Sequence, residues 1–381
     1  MIRKAVFVFL IYFSLGIAQN PGCTGGIGLL HTHSALVFDP GQLGSYTNMN
    51  FYSKHPTFID QSTSTDTPLT NLWFIAGNSS LTCGIAKHID FTAALRLYQD
   101  VNYSRKKKNI PDDIFLTLKF GSFSYTRNRL YTSFMFLSRI ATGEFHNYPY
   151  AEYASGAFEY GLTAAISYYS DPYFLDRSIS FHYNVGFWNH NEKGSEVTLI
   201  NKEKRIYTVN STHLQMALAT IIPSGLFNFR FEISGILYLK RPDSWVLSAE
   251  EWSFFTPSLR LKASKIVSMD FGMDIRLNPG DRQWTHEGPD DSEIYNLPKN
   301  VPPWKIHLGI NLHILPLGGK KKKHSTSFEN RELEQKIEFY QVLKEEENKS
   351  KRVESEVKVL KNARRSADSE IDELRKRLEE E

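Results

Sequence analysis

The stretch LQMALATIIPSGLFNFRFEISGILYLK, residues 214–240, decides the fold class. Two alternating segments meet there at the tight turn Pro223-Ser224-Gly225. After the turn, apolar side chains occupy every second position and polar side chains the positions between them, which is the two-residue period of a β-strand. The apolar face holds Phe227, Phe229, Phe231, Ile233, Leu237 and Leu239, and the polar face Asn228, Arg230, Glu232, Ser234, Tyr238 and Lys240.

The length of this alternating segment distinguishes a membrane-spanning strand from a strand of a soluble protein. Strands of soluble proteins usually run for about five or six residues. The alternation here continues through residues 227–240, which is more than the ~9–11 residues that a tilted strand needs to cross a bilayer. The stretch therefore predicts a transmembrane hairpin.

The N-terminus predicts export. Residues 1–18 carry Arg3 and Lys4, then an apolar run, then small residues that favour cleavage after Ala18, as in a signal peptide. An uncleaved anchor is the alternative, although the apolar run is short for a spanning helix. Beyond residue 18 no run approaches the ~18 apolar residues of a helical span, so a membrane protein of this sequence must be a closed barrel.

The same alternation recurs along the chain and predicts an all-β, transmembrane antiparallel β-barrel of about twelve strands over residues 41–316. Short turns alternate with long polar loops, which is the arrangement of outer-membrane barrels, with both chain ends in the periplasm. A soluble secreted β-sandwich or barrel, with the apolar faces in one core and the C-terminal tail as a trimer-forming stalk, is the alternative. The predicted strands are 41–53, 71–86, 90–102, 113–122, 129–141, 156–169, 177–189, 207–222, 225–240, 254–263, 267–277 and 304–315.

Residues 19–40 form the lead-in to the barrel, and we expect them to lie extended at the barrel mouth; a lead-in that plugs the lumen is the open alternative. His31 and His33 would share one face of a strand and could form half of a metal site. No third ligand lies nearby in the sequence, so no metal and no other cofactor is predicted.

The lead-in also carries a family resemblance. Gly28-Leu29-Leu30-His31-Thr32-His33-Ser34-Ala35, followed by Pro40-Gly41-Gln42-Leu43, resembles uncharacterised porin-like outer-membrane β-barrel proteins of Gram-negative-type bacteria. The resemblance covers residues 26–316. It implies the barrel fold and an outer-membrane location, and it implies no particular activity.

The inward faces of the predicted strands carry thirteen titratable side chains, and burying them unpaired in a dry interior would cost several kcal/mol each. We therefore predict a wet lumen with a small excess of basic groups and a mild preference for anions. The predicted lumen-lining residues are Arg96, Lys119, Glu159, His182, Arg230, Glu232, Arg260, Lys262, Asp270, Asp274, Arg276, Lys305 and His307.

No catalytic motif accompanies these residues. His146 and His190 lie on predicted outer loops and could take part in acid–base chemistry, but loop histidines are usually solvated. The sequence lacks a nucleophile elbow, a zinc-protease helix motif and a phosphate loop, so no enzyme activity is predicted. Cys23 and Cys83 either form a periplasmic tether or stay apart, with Cys83 facing lipid.

The composition changes after the last strand. Residues 317–327 form a basic linker, whose lysines bind lipid headgroups or act as a hinge. Residues 328–381 predict a charged periplasmic helix, either solitary or in a coiled coil. The heptad positions are Val357, Leu360, Arg364, Ala367, Ile371, Leu374 and Leu378.

These features predict a porin-like outer-membrane channel for small solutes, with a polar, mildly basic lumen. The alternative is a non-conducting envelope anchor whose C-terminal helix binds a periplasmic partner or the cell wall. The predicted partners are outer-membrane lipid and, through the helix, a second copy of the chain or a periplasmic protein. The net charge of only +3 gives no basis for binding nucleic acid.

Overall fold

A computed structural model describes residues 27–54, 72–103, 105–146, 150–198, 204–246, 249–264, 266–278, 301–315 and 327–379. The predicted signal peptide, Cys23 and most of the basic linker lie outside these residues. The strands are β1 (Leu43–Lys54), β2 (Leu72–Ala86), β3 (Ile89–Tyr103), β4 (Arg105–Asn109), β5 (Ile114–Tyr125), β6 (Leu130–Ile140), β7 (Glu159–Tyr169), β8 (Ser180–Asn189), β9 (Glu196–Thr198), β10 (Lys204–Ile206), β11 (Thr212–Ser224), β12 (Phe227–Lys240), β13 (Trp252–Leu261), β14 (Val267–Arg276) and β15 (Trp304–Leu315).

The sheet closes into a barrel of twelve antiparallel strands. Each long strand pairs with its neighbours in sequence order, β1 pairs with both β15 and β2, and β2 pairs with β3. The short strand β4 pairs only with the end of β3, and β9 and β10 form a separate small hairpin. The predicted strand count is therefore confirmed.

The predicted strand boundaries agree with the barrel to within a few residues. The largest difference is at β11, which was predicted to begin at residue 207 and begins at Thr212. The cause is Tyr207, whose backbone amide donates to the carbonyl of Ser195 and whose side chain is buried among loop residues. The alternating pattern of the sequence therefore extends beyond the strand, into a loop whose residues pack against other loop residues.

The outer face of the barrel is apolar and the inner face polar. On β12 the side chains of Phe229, Phe231 and Ile233 are 45%, 42% and 47% exposed, whereas Arg230 and Glu232 are 1% and 0% exposed. Comparable apolar residues stand exposed on every long strand except β13, which far exceeds the apolar patches of a soluble monomer. This is the pattern of a barrel that crosses a membrane, and it excludes the soluble β-sandwich.

The two rims of the barrel differ. We call the rim that carries residues 87–88, 126–129, 170–179, 225–226 and 262–264 the turn end, and the opposite rim the loop end. The strand β1 starts and the strand β15 ends at the turn end. No described helix is both long and apolar enough to span a membrane.

The C-terminal helix α1 (Ser327–Glu379) is a single uninterrupted element of 53 residues, about 80 Å long at 1.5 Å per residue. Residues beyond Lys320 form a compact unit separate from the rest of the chain. The side chains of Val357, Leu360 and Ile371 in the predicted heptad are 44%, 68% and 50% exposed. The helix is therefore present, while the coiled coil stays a prediction.

A charge on the outer face tests the membrane assignment. We expect Ile233→Arg, near the middle of β12, to lower the free energy of unfolding by about 2–4 kcal/mol, because the guanidinium would lie in hydrocarbon. The matched change Leu239→Arg, near the loop end, should cost only about 0–1 kcal/mol. Denaturant titrations of vesicle-folded protein measure both. Equal costs at the two depths would contradict a transmembrane barrel.

Candidate functional site in the barrel interior

The lead-in does not lie at the barrel mouth, as the sequence had suggested, but inside the lumen. It forms a hairpin in which Gly28 pairs with His33, and the Leu29 amide donates to the Thr32 carbonyl at 2.8 Å. Leu29 and Leu30 are 1% and 3% exposed. The prediction was wrong because the polar inner face of the barrel offers hydrogen-bond partners that a sequence pattern does not reveal.

The tip of this hairpin is bound by one carboxylate on β12. The backbone amides of Leu30, His31 and Thr32 all donate to Glu232 at 2.9 Å, and so does the Thr32 hydroxyl. Hydrogen bonds to an ionised group are stronger than neutral ones. Glu232, one of the predicted lumen-lining residues, is therefore the main anchor of the lead-in tip.

The rest of the lead-in is bound through its backbone by other inward side chains. Lys119 donates to the carbonyls of Ser34 and Leu36 at 2.5 and 2.7 Å. Asn184 both accepts from the His33 amide, at 2.6 Å, and donates to the His33 carbonyl, at 2.8 Å. An extended segment outside a sheet must find such partners when it is buried.

The lead-in also contacts the barrel wall directly, through its backbone and through apolar side chains. The carbonyl of Ala35 accepts from the Ser122 amide at 2.8 Å, and a side chain at Gly121 would come within 2.6 Å of the same carbonyl oxygen. Glycine is therefore required where the lead-in passes the wall. The lead-in side chains Ile27, Ala35, Leu36 and Phe38 pack against Tyr131 and Tyr169 of the barrel.

A cavity of about 190 Å³ lies between the lead-in tip and the loop end. We call it the chamber. Its floor is formed by Leu30, His31 and His33 of the lead-in, and Glu152 and Tyr153 border it toward the loop end. Its wall combines charged with aromatic side chains, including Arg96, Arg139, Glu159, Trp188, His213, Tyr238, Lys305 and His307.

Segments of three loops pack together at the loop end, and we call them the cap. Tyr153 lies in a buried cluster with Val197, Tyr207, Val246 and Ala249. Tyr150 and Ala151 pack instead against Tyr52, Phe74 and Ala76 on the opposite side of the barrel. Burial raises the pKa of Tyr153 well above its ordinary value, so its phenol stays neutral at physiological pH.

The two loop histidines are not solvated, contrary to expectation. His190 is 1% exposed, with Nδ1 3.0 Å from a Glu159 carboxylate oxygen and Nε2 3.1 Å from His213 Nδ1. His146 is 9% exposed, and burial lowers its pKa. Both histidines are buried because their loops fold over the end of the barrel.

The thirteen predicted lumen-lining residues fall into separate groups. Lys119 and Glu232 bind the lead-in, while Arg96, Glu159, Lys305 and His307 line the chamber. Asp274 contacts His31, Lys305 and His307 at 2.8, 3.4 and 2.8 Å.

The remaining residues of the set contact other groups. The side chain of His182 is hydrogen-bonded to Ser167 and Ser180. Arg276 pairs with Glu250 at 3.1 Å near the loop end, and Lys262 is half-buried at the turn end.

Arg230, Arg260 and Asp270 form a buried triad. Arg260 donates to the Asp270 carboxylate from both Nε and Nη2, each at 2.5 Å. Arg230 Nη2 lies 3.0 Å from the same carboxylate. All three side chains are at most 3% exposed. Two cations held by one anion leave this part of the interior with a net positive charge.

The cap offers a local test. We expect Tyr153→Ala to speed hydrogen exchange at the β9–β10 hairpin amides by at least about tenfold, because a buried aromatic truncation costs about 3–5 kcal/mol where it packs. Exchange in the barrel strands should not change. The control is Tyr125→Ala, whose side chain is 55% exposed at the turn end. An unchanged hairpin would show that Tyr153 does not hold the cap together.

Comparison with known proteins gives fold-level similarity only. No family model and no curated protein matches the chain. The NanC porin structure is 8% identical, with 71% of this chain and 100% of that chain covered and a TM-score of 0.43. An outer-membrane channel from Pseudomonas putida F1 is 7% identical, with 73% and 97% covered and a TM-score of 0.45. With TM-scores below 0.5, these similarities add nothing to the architecture that the strand pairing already establishes.

Proposed function

We propose that the protein is a gated, porin-like channel for small solutes in a bacterial outer membrane, closed at the turn end by its own lead-in. One observation carries the proposal. The lead-in fills the lumen without joining the strand ladder: its backbone bonds to the barrel go to side chains, apart from the single bond between the Ala35 carbonyl and the Ser122 amide. It can leave without breaking any strand pairing.

The energetics favour a removable gate. Each neutral hydrogen bond of the lead-in is worth only about 0.5–1.5 kcal/mol net, because water replaces it when the segment moves away. The inward side chains that it would leave behind are polar and suited to a wet lumen. A permanent plug would rest mainly on apolar packing, whereas here one small aromatic cluster supports the stem.

The expected mild anion preference rests on the triad of Arg230, Arg260 and Asp270, in which two cations share one anion. The chamber adds no excess of positive charge, because Asp113 pairs with Arg139 and Asp274 with Lys305, and Glu152 and Glu159 also line it. The cavity of about 190 Å³ has room for a few water molecules or a small solute.

Uptake of graded solutes into proteoliposomes tests the proposal. Protein lacking residues 27–40 should admit small sugars and small anions, the anions faster, and should exclude large oligosaccharides. The full chain should be slow for all of them. Equal impermeability of both folded proteins would overturn the channel proposal.

The second candidate, an envelope anchor with a working helix, is favoured by the exposure of apolar side chains on α1. The side chains of Val353, Val359 and Leu360 are 59%, 67% and 68% exposed. A solitary charged helix has no need of such exposed apolar side chains. Under this candidate α1 lies in the periplasm and binds a second copy or a periplasmic protein. Light scattering of the full chain in detergent, compared with a chain ending at residue 326, detects self-association through α1.

A further inference from the structure

Three side chains from distant parts of the sequence meet at the floor of the chamber. His31 Nε2 lies 2.8 Å from Asp274 Oδ1, and His307 Nε2 lies 2.8 Å from Asp274 Oδ2. One ligand atom from each of the three residues lies within 4.8 Å of the others. Asp274 and His307 are 0% and 1% exposed. His31 belongs to the lead-in, while Asp274 and His307 belong to β14 and β15.

The hydrogen bonds of His307 fix which of its nitrogens carries the proton. Nδ1 lies 2.7 Å from Asn50 Oδ1, and that oxygen also accepts from the side-chain amide of Asn48 at 3.1 Å. Because Asn50 Oδ1 is an acceptor, His307 Nδ1 must donate to it. In the neutral imidazole, His307 Nε2 then carries no proton and presents a lone pair.

This lone pair faces another electron-rich atom. His307 Nε2 and Asp274 Oδ2 are both buried and lie 2.8 Å apart. Two acceptors at this distance repel; the Lys305 ammonium, 3.4 Å from Asp274 Oδ2, offsets part of the repulsion, and a proton or a metal ion shared by the two atoms removes it. Metal-bound histidines almost always donate their other ring N–H to an oxygen or a water, and His307 Nδ1 makes such a bond to Asn50.

We propose that His31, Asp274 and His307 bind one divalent transition-metal ion, of the class represented by Zn²⁺. Two imidazole nitrogens and one carboxylate oxygen suit such an ion better than Mg²⁺ or Ca²⁺, which prefer oxygen ligands. His31 and His307 also line the chamber, so the fourth position faces the cavity and is open to water or solute.

Lys305 is the group that opposes metal binding. Its ammonium lies 3.4 Å from Asp274 Oδ2, where it competes with a cation. The same nitrogen lies 4.8 Å from the centre of the Phe254 ring, a favourable position for a cation. The metal therefore displaces the ammonium from the carboxylate and leaves it over the ring. Removing this charge should tighten metal binding.

The proposed ion would join the lead-in tip to the barrel wall, because its ligands come from both. Its effect on opening rests on the proposed function, whereas the site itself does not. Zinc should keep the lead-in in place, and a chelator should loosen it. The ion thus holds the lead-in tip in the lumen, in addition to the hydrogen bonds that the tip donates to Glu232.

The test measures metal content and affinity, without reference to conduction. Full-length protein is stripped with a chelator, dialysed against Zn²⁺ and measured by elemental analysis and competition titration. We expect one zinc ion per chain, at least tenfold weaker binding in His31→Ala and in His307→Ala, and at least tenfold tighter binding in Lys305→Gln. His33→Ala, also on the lead-in and beside the chamber, is the matched control and should bind as the parent does.

Folding is checked by heat-dependent gel migration. His31→Ala leaves every barrel strand intact, so its result stands even where His307→Ala fails to fold. The absence of saturable zinc binding, or unchanged affinity in His31→Ala, would overturn the site and leave a proton as the cation in the cluster. Zinc binding by a protein that never conducts would keep the site and overturn only its role in gating.

Discussion

Glu232→Gln is expected to raise the open probability of the channel by roughly 100-fold. In planar bilayers, a protein that is silent over minutes should then show frequent stepwise currents. The change keeps the size of the side chain and removes its charge. It therefore isolates the carboxylate that binds the lead-in tip.

The expected size follows from the hydrogen bonds of this carboxylate. Four donors, the amides of Leu30, His31 and Thr32 and the Thr32 hydroxyl, point at Glu232. A glutamine can accept through one oxygen only, and its amide group opposes the remaining donors. A loss of about 3 kcal/mol shifts the equilibrium by about two powers of ten.

The control for this prediction is Glu144→Gln, an exposed glutamate on a loop at the loop end. It changes the net charge equally and should leave the channel silent. If Glu232→Gln stays as silent as this control while migrating as a folded barrel, the tip carboxylate does not hold the gate.

Asp270→Asn is expected to lower the free energy of unfolding by about 3–5 kcal/mol, the largest stability effect in the barrel. The substitution leaves Arg230 and Arg260 buried together without their shared anion. Both arginines are at most 2% exposed, so water does little to screen them. Urea titration of the folded protein in vesicles measures the loss.

Two companion variants make this prediction specific. Glu196→Gln breaks the exposed pair with Lys204, 2.6 Å long, and should cost at most about 1 kcal/mol. Replacing Arg230, Arg260 and Asp270 together by apolar residues of similar size should restore much of the loss, because no charge then stays unpaired. A loss in Asp270→Asn no larger than in Glu196→Gln would contradict a dry triad.

The barrel was predictable because its pattern is local. The alternation of Phe227, Phe229 and Phe231 with Arg230 and Glu232 fixes which side faces lipid, and each strand repeats the pattern independently. Strand boundaries failed mainly where a loop packs on itself, as at Tyr207. The inward placement of the charged side chains follows from the same two-residue period.

The site was not predictable because its contacts are long-range. Glu232 is about 200 residues from the tip that it binds, and His31 meets Asp274 across 243 positions. The sequence pattern placed His31 and Glu232 separately but could not pair them. The spacing of His31 and His33 could not indicate the proposed metal site either, because the residues that would share the ion with His31 lie on β14 and β15.

One measurement tests the central claim, that the lead-in closes an otherwise open lumen. Protein lacking residues 27–40 and the full chain are each inserted into planar lipid bilayers, and currents are recorded under a salt gradient. The account predicts stepwise currents with a reversal potential favouring anions for the shortened protein, and none for the full chain under the same voltage. A shortened barrel that migrates as folded and stays silent would contradict the account and favour the anchor with its C-terminal helix.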